Sequence, residues 1–482
     1  MTGPELRTYR RKRDAARTPE PVPKRSKPPR PSGNDSFVIQ EHHATALHWD
    51  FRLERDGVLV SWAVPKGLPL HPGRNHLAVH TEDHPLDYAS FAGEIPKGEY
   101  GGGQVLIWDH GRYDCEKWTD REVKVVLHGE RVTGRYVLFK TGDSDRDWMV
   151  HRVDPPPDGY QPVPSLIRPM LAVLREEIPR DADAYGYEFK WDGVRATVYV
   201  EGGRPRVLSR NDRDVTGSYP ELRDLAESLG STEVVLDGEI VALDDNGRPS
   251  FEALQARMHV TNAAQVRRLV TQVPATYLVF DVLHLDGRSL LETPYRERRQ
   301  VLESLELAGP SWQTPPHFEG DGEAVLAASR AQGLEGLVAK RLDSSYFPGK
   351  RSDRWLKVKN LRTQEVVIGG WKPGEGRRAG AIGSLLIGVP GPDGLEFVGH
   401  VGTGFTDRML RDLETDLAPL VRKTPPFATP VPREHARTAK WVEPSLVGEV
   451  AFGEWTREGR LRHPAWRGLR PDKSPDEVVR EF

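Results

Sequence analysis

One cysteine, five methionines and no long apolar run are the shortages that say most about this 482-residue chain. The single Cys115 cannot close an internal disulfide or build a thiolate metal site alone, so any metal must be held by imidazoles and carboxylates. No stretch approaches the ~18 uninterrupted apolar residues of a membrane-spanning helix. The Arg- and Pro-rich amino terminus also lacks the apolar segment of a secretion signal. These absences predict a cytoplasmic protein. Net charge is small too, with 68 Lys/Arg against 71 Asp/Glu giving −3, but it is unevenly spread. Residues 1–34 hold ten Lys/Arg, three Asp/Glu and seven prolines. With almost no aliphatics, this segment is expected to be a disordered basic tail that attracts nucleic acid through phosphate charge. The remaining body is acidic, so any nucleic-acid contact there must come from local patches.

What is plentiful is Gly (46) and Pro (40), which predicts many turns and short strands, and the length suggests about three domains. Period-two alternation in LHWDFRLE (Leu47–Glu54) puts His48, Asp50 and Arg52 on one strand face, opposite Trp49, Phe51 and Leu53. The same reading of HLAVHTEDH groups His76, His80, Glu82 and His84. Further strand-like runs continue to about Val153, where DPPPDGYQPVPSLIRP reads as a semi-rigid linker. Beyond it, strands alternate with helical stretches near 220–229, 251–257 and 323–331, a mixed α+β domain. From about Thr363, glycine-broken β runs and one helix near 407–417 fit a small barrel.

In EFKWDGVR, Lys190 follows a short strand, with Asp192, Gly193 and Arg195 at fixed offsets. A lysine amine attacks only when neutral, so a nucleophilic lysine needs nearby cations or desolvation. Gly193 would let the backbone approach a phosphate, and Arg195 could clamp one. Downstream, in order, come SRN (Ser209–Asn211), LDGEIVAL (Leu236–Leu243), YLVFDVLHLDG (Tyr277–Gly287), EGLVAKR (Glu335–Arg341) and WLKVK (Trp355–Lys359). This ordered set resembles the covalent nucleotidyltransferases, and within them the ATP-dependent DNA ligases, over residues 165–482. The resemblance implies that Lys190 carries AMP, that Glu188 lies near the adenine edge, and that Phe280 stacks on the adenine. It implies that Arg195 and Arg210 contact the nucleotide or the 5′-phosphate, and that Lys357 and Lys359 contact the α-phosphate. Glu239 and Glu335 would bind ribose and a magnesium or manganese ion, for which hard carboxylate ligands suit. The carboxyl-terminal barrel looks like the OB-fold of these ligases. Its ending, RHPAWRGLRPDK, is similar to their last motif, which would bring Arg470 and Lys473 to the pyrophosphate. The stretch Asn360–Glu365 is the expected hinge for closure of that barrel.

Imidazole and carboxylate ligation without thiolate suits manganese, zinc or iron. The segment Phe37–Val150 resembles the 3′-phosphoesterase domain of bacterial end-joining ligases of the ligase D type. That match implies that His42, His48 and Asp50 hold manganese. Arg52, His84 and Tyr88 would engage the terminal phosphate, Glu82 would orient or activate a neighbour, and the loop Gly98–Gly103 would shape the site. His76 stands where this resemblance leads one to expect an arginine on the phosphate, and His43 and His80 receive no role.

The resulting expectation is a multidomain chain. It has a disordered tail (1–34), a β-barrel-like phosphoesterase domain (35–153), a Pro-rich linker (154–168), an α+β adenylation domain (169–362) and an OB-fold β-barrel (363–482). Its implied function is ATP-dependent sealing of 3′-hydroxyl/5′-phosphate DNA breaks through lysyl-AMP, with manganese-dependent healing of 3′ ends, in bacterial non-homologous end joining. A 3′-phosphate blocks sealing, so tethering the two activities raises the local concentration of the healing step. The chain has no room for the polymerase domain of many ligase D proteins. The expected partners are therefore broken or nicked duplex DNA, a Ku-like end-binding protein and a separate primase-type polymerase, with the protein itself a monomer. The alternatives are an RNA ligase or a capping-type guanylyltransferase, for which capping predicts GTP as donor, and an inactive DNA-binding scaffold, against which the intact Lys190, Glu239, Glu335 and Lys357 speak.

Overall fold

The computed structural model describes residues 6–23, 33–142, 144–243, 249–258, 260–374 and 381–481. Among these residues no helix is long and apolar enough to cross a membrane.

Alternating apolar residues build eight strands in the amino-terminal part: β1 (Ser36–His43), β2 (Leu47–Arg55), β3 (Val58–Val64), β4 (Asn75–His80), β5 (Gly103–Trp118), β6 (Glu122–Gly129), β7 (Thr133–Lys140) and β8 (Asp147–Arg152). They pair antiparallel in the order β1-β2-β3-β4-β8-β7-β6-β5, and β5 returns to β1, closing a barrel with no free edge. Phe37, Ile39, Trp49, Phe51, Trp62 and Trp148 fill its interior. Period two then turns His48, Asp50 and Arg52 to the other side of β2. The single strand expected over His76–His84 is interrupted, because β4 ends at His80 and pairing resumes only at His84–Pro85, where Pro85 offers no ladder N–H. His80 therefore packs its ring 5.4 Å from that of Trp62, while His84 turns toward Arg52.

Two expected segments behave differently. Residues 6–23 of the anticipated disordered tail are folded: helix Arg7–Lys12 carries a fully buried Tyr9, which packs with Leu6 and Val22 against Leu59 and Tyr88. The few apolar side chains suffice because they pack against the barrel and not only among themselves. Residues 1–5 and 24–32 of that tail lie outside the described residues. The proline-rich stretch after Val153 is no free spacer, since Val163 and Ile167 are buried beside Tyr199, Leu208 and Phe280. The Tyr199 hydroxyl accepts the Ile167 N–H at 2.7 Å, and Tyr160 donates to Glu233 at 2.9 Å.

The central part holds two sheets. One contains β9 (Tyr185–Lys190), β13 (Gly336–Arg341) and β14 (Arg351–Lys359); the other contains β10 (Val194–Glu201), β11 (Val234–Ala242) and β12 (Ala275–Leu285). Gly193, between β9 and β10, also has a packing role: a β-carbon there would lie 2.2 Å from the Ile240 carbonyl oxygen. Helix Tyr295–Ser304 buries Arg298 and Arg299 beside Tyr295 and Leu302, with Arg298 donating to both Asp281 oxygens at 2.7 and 2.9 Å.

The carboxyl-terminal part is an OB-fold-type β domain of β15 (Thr363–Pro373), β16 (Ile382–Gly391), β17 (Gly394–Val401), β18 (Val447–Ala451) and β19 (Ala465–Leu469), with shorter strands between. Helix Asp407–Leu417 packs Leu410, Leu413 and Leu417 onto its core.

Candidate functional site

The central domain holds a cavity of about 200 Å³, and every nucleotide-site residue named from the sequence lines it. Strand register explains the convergence. Lys190 and Lys359, at the ends of β9 and β14, both lie opposite Gly336, and Arg195 on β10 lies opposite Glu239 on β11. Lys190 donates a short hydrogen bond to Glu335, and the Lys359 ammonium is 3.6 Å from the same carboxylate. Burial opposes charge on Glu335, yet Lys190 and Lys359 hold its carboxyl well below the usual range. Glu239 is the reverse case, because burial outweighs Arg195 and Lys190 and pushes its carboxyl up to about 7. Both carboxylates face a space suited to phosphates, and a magnesium ion characteristically takes one or two carboxylates plus substrate phosphates.

Other cavity residues already have partners. Arg195 donates to both Asp237 oxygens, at 2.6 and 2.7 Å. The Phe280 ring carries Arg195 at 4.5 Å and Lys340 at 4.4 Å over it. Glu188, 3% exposed, accepts from Tyr295 and pairs with Lys340 at 2.8 Å. The OB-fold domain supplies Arg470, which pairs with Asp472 at 2.7 Å, and Lys473, which pairs with Glu365 at 2.9 Å. Arg467 reaches Asp192 at 2.8 Å, so both domains share this site. Lys340, Tyr295, Arg299 and Arg467 were not singled out by sequence. Lys340 lay within a quoted motif, but nothing in spacing marked its burial.

The second site lies on the outer face of the barrel. The β1–β2 hairpin sets His42 directly opposite His48, and Gln40 opposite Asp50. His42, His48 and Asp50 present ligand atoms within 4.8 Å of one another, the one such group among the described residues. The tautomers suit a cation. His42 Nε2–H donates to the Gly101 carbonyl at 2.8 Å, leaving the buried Nδ1 without a hydrogen-bond partner and 3.4 Å from Asp50 Oδ2. His48 Nδ1–H donates to the Ala46 carbonyl at 2.9 Å, leaving Nε2 3.7 Å from Asp50 Oδ1. Both lone pairs thus face one carboxylate, with each ring oriented by a backbone carbonyl. Although burial opposes it, Arg52, which donates to it, keeps the Asp50 carboxyl below its ordinary range. Gly101 belongs to the loop Gly98–Gly103, which borders the site.

Arg52 links this cluster to the rest of the face, donating to Asp50 (2.8 Å), Gln40 (2.7 Å) and Ser61 (2.9 Å) and meeting His84 Nδ1 at 3.0 Å. Burial, with Arg52 and Arg13 nearby, drives the His84 imidazole well below its ordinary pKa, so it is neutral. Tyr88 and Glu82 are engaged by the amino-terminal segment. The Tyr88 hydroxyl donates to Glu20 at 3.0 Å, and Glu82 pairs with Lys12 and Arg13 at 2.9 and 3.0 Å. Neither Arg13 nor Glu20 carries a sequence signal, because both lie in a segment with the composition of a tail. His76 lies apart from this group, with its Nδ1–H donating to the Gly67 carbonyl at 2.8 Å and Lys66, Glu201 and Arg74 as its charged neighbours.

Comparison with known proteins matches three family models in chain order. Residues 40–140 match the DNA ligase D 3′-phosphoesterase domain, 169–359 the ATP-dependent DNA ligase domain, and 378–473 the ATP-dependent DNA ligase C-terminal region. The multifunctional non-homologous end joining protein LigD of Mycobacterium bovis is 52% identical over 480 residues, covering 99% of this chain and 61% of that protein. Its namesake in Pseudomonas aeruginosa is 36% identical over 534 residues, covering 99% of this chain and 62% of that protein. The chain thus spans about three fifths of the length of these relatives. A solved structure described as mycobacterial DNA ligase D complexed with ATP and MES is 47% identical, covers 65% of this chain and 98% of its own, and superposes with a TM-score of 0.52.

Proposed function

Because this chain belongs to the ATP-dependent DNA ligases of the ligase D type, with a 3′-phosphoesterase domain ahead of the ligase domain, we propose that it heals and seals broken DNA in non-homologous end joining. The observation that carries the sealing reading is the convergence of Lys190, Glu335, Lys357 and Lys359 on one cavity. In this reading the Lys190 amine attacks the α-phosphorus of ATP, a Lys190–AMP bond forms and pyrophosphate leaves. AMP then passes to the DNA 5′-phosphate, and attack by the 3′-hydroxyl joins the strands and releases AMP. Lys357 and Lys359 neutralise charge gathering on the α-phosphate, and Arg470 and Lys473 that on the leaving pyrophosphate. Glu188, Arg195, Arg210 and Phe280 frame the nucleoside and the incoming 5′-phosphate. Glu239 and Glu335 would hold magnesium or manganese, which lowers the cost of charge on the phosphoryl oxygens.

On the barrel, His42, His48 and Asp50 would hold manganese, whose Lewis acidity activates the phosphoester. Arg52 orients the phosphate and stabilises its charge, and neutral His84 is placed to exchange a proton with it, with Tyr88 and Glu82 shaping that environment. We divide the chain accordingly into residues 35–153, 169–362 and 363–482. The remaining parts of the proposal are a cytoplasmic monomer acting on duplex DNA with a Ku-like end-binding protein and a primase-type polymerase. Incubation with labelled ATP or GTP followed by denaturing electrophoresis tests the central claim. Label from ATP alone, lost in Lys190→Ala, is expected; label from GTP would point to capping chemistry, and no label to a scaffold.

A further inference from the structure

Lys357 and Lys359 share one face of β14, and in this structure a carboxylate bridges their ammonium groups. Glu481 accepts from Lys357 Nζ at 2.5 Å through Oε1 and from Lys359 Nζ at 2.9 Å through Oε2. It lines the same cavity as Lys190. All three side chains are largely shielded, with 14% of Glu481, 15% of Lys357 and 6% of Lys359 exposed.

The bridge is built by the fold. Val478 is buried in the OB-fold core, and Arg480 lies over the Trp455 ring at 4.1 Å. Gln364 fastens the backbone on both sides, donating to the Val479 carbonyl at 2.8 Å and accepting the Glu481 N–H at 3.0 Å. The Glu481 carboxylate is therefore delivered by the OB-fold domain to two cations of the adenylation domain. A carboxylate held by two ammonium groups presents the charge and paired oxygens of a phosphoryl group, and the two ligands cannot use the same lysine protons together.

Resting on the reading of this cavity as the ATP site, we infer that Glu481 is a tethered competitor that occupies the phosphate-binding lysines until nucleotide phosphates displace it. Glu481 thereby sets the affinity for ATP through the phosphates and not through the base. When AMP leaves at the end of each cycle the lysines return to Glu481, which favours that discharge.

The test is equilibrium binding to the full chain in EDTA, which prevents turnover, with ATP and adenosine as probes of wild type, Glu481→Gln and Glu481→Ala. Removing a charge-assisted hydrogen-bonding rival is expected to tighten ATP binding about tenfold in both variants and to leave adenosine affinity unchanged. Equal ATP affinities would overturn the inference alone, and weaker ATP binding would do so by showing that Glu481 holds the lysines ready. An equal gain for adenosine would also overturn it, because the change would then be a reshaped cavity. Absence of ATP binding by all three proteins would overturn the nucleotide reading itself and this inference with it.

Discussion

Arg13 Nη1 lies 3.0 Å from Glu82 Oε1, joining a segment with the composition of a loose tail to the polar face of the barrel. The same guanidinium donates to Glu20 at 2.6 Å and to His84 Nε2 at 3.4 Å, with its side chain only 5% exposed. The segment is therefore part of the polar face to which we assign the phosphoesterase chemistry, as well as a source of positive charge. Arg13→Ala is expected to reduce phosphate release from 3′-phosphate ends by about 10- to 100-fold, as for residues that orient a metal site from behind, while AMP attachment to Lys190 is unchanged. Deleting residues 1–34 should reproduce that loss and also flatten the log-salt slope of DNA binding in a filter assay. Wild-type phosphate release by either protein would leave the segment with no part in that chemistry.

Arg298 and Asp281 form a pair at 0% and 1% exposure, and the Arg298 guanidinium also donates to the Thr293 and Ser344 carbonyls. Breaking such a pair from one side leaves a buried charge without compensation, at a cost of about 3–5 kcal/mol. Arg298→Ala should lower the stability of the adenylation domain by that amount in urea unfolding. The double change Arg298→Met with Asp281→Asn should recover part of it, because no full charge then stays buried.

The difference between these two pairs and the motif residues explains what the sequence could reveal. Period two in β2 separated His48, Asp50 and Arg52 from Trp49 and Phe51, because a half-buried strand alternates by geometry. Lys190 and the motifs after it were legible because phosphoryl transfer demands fixed residue types near strand ends. Helix Tyr295–Ser304 was invisible, since its buried positions include Arg298 and Arg299 and a hydrophobic pattern cannot register arginines whose partners lie elsewhere in the chain. The amino-terminal segment failed for a related reason: Tyr9, Leu6 and Val22 form too small an apolar set to predict folding alone and suffice only against Leu59 and Tyr88. The pairing of His42 with His48 depended on hairpin register, which alternation in a single strand does not fix.

Lys357 gives a pH prediction. Burial, reinforced by Lys359, lowers its ammonium to about 8. The cation we assign to the α-phosphate is therefore present below that pH and lost above it, so kcat/KM for self-adenylation at limiting ATP should fall as pH rises through about 8. Lys357→Arg keeps its charge across the range and should shift that alkaline limb upward. An identical limb in the variant would assign the titration to another group.

The two sites sit in different domains, which makes their chemistries separable. His48 and Asp50 lie on β2 of the barrel, and Lys190 closes β9 beyond the packed proline-rich strap. The domains do touch, with Trp108 Nε1–H donating to Ser231 Oγ at 2.8 Å and Arg74 pairing with Glu201, but neither contact includes a residue of either reacting group. A His48→Ala, Asp50→Ala double mutant is expected to seal nicks bearing 3′-hydroxyl and 5′-phosphate ends at near wild-type rate and to leave 3′-phosphate ends untouched. Lys190→Ala should release inorganic phosphate from those ends with manganese supplied, yet form no AMP adduct. Both proteins are assayed on both substrates. Phosphate release by the double mutant would remove the cation from His42, His48 and Asp50. Loss of both activities in either mutant would mean that contacts between the domains couple the sites.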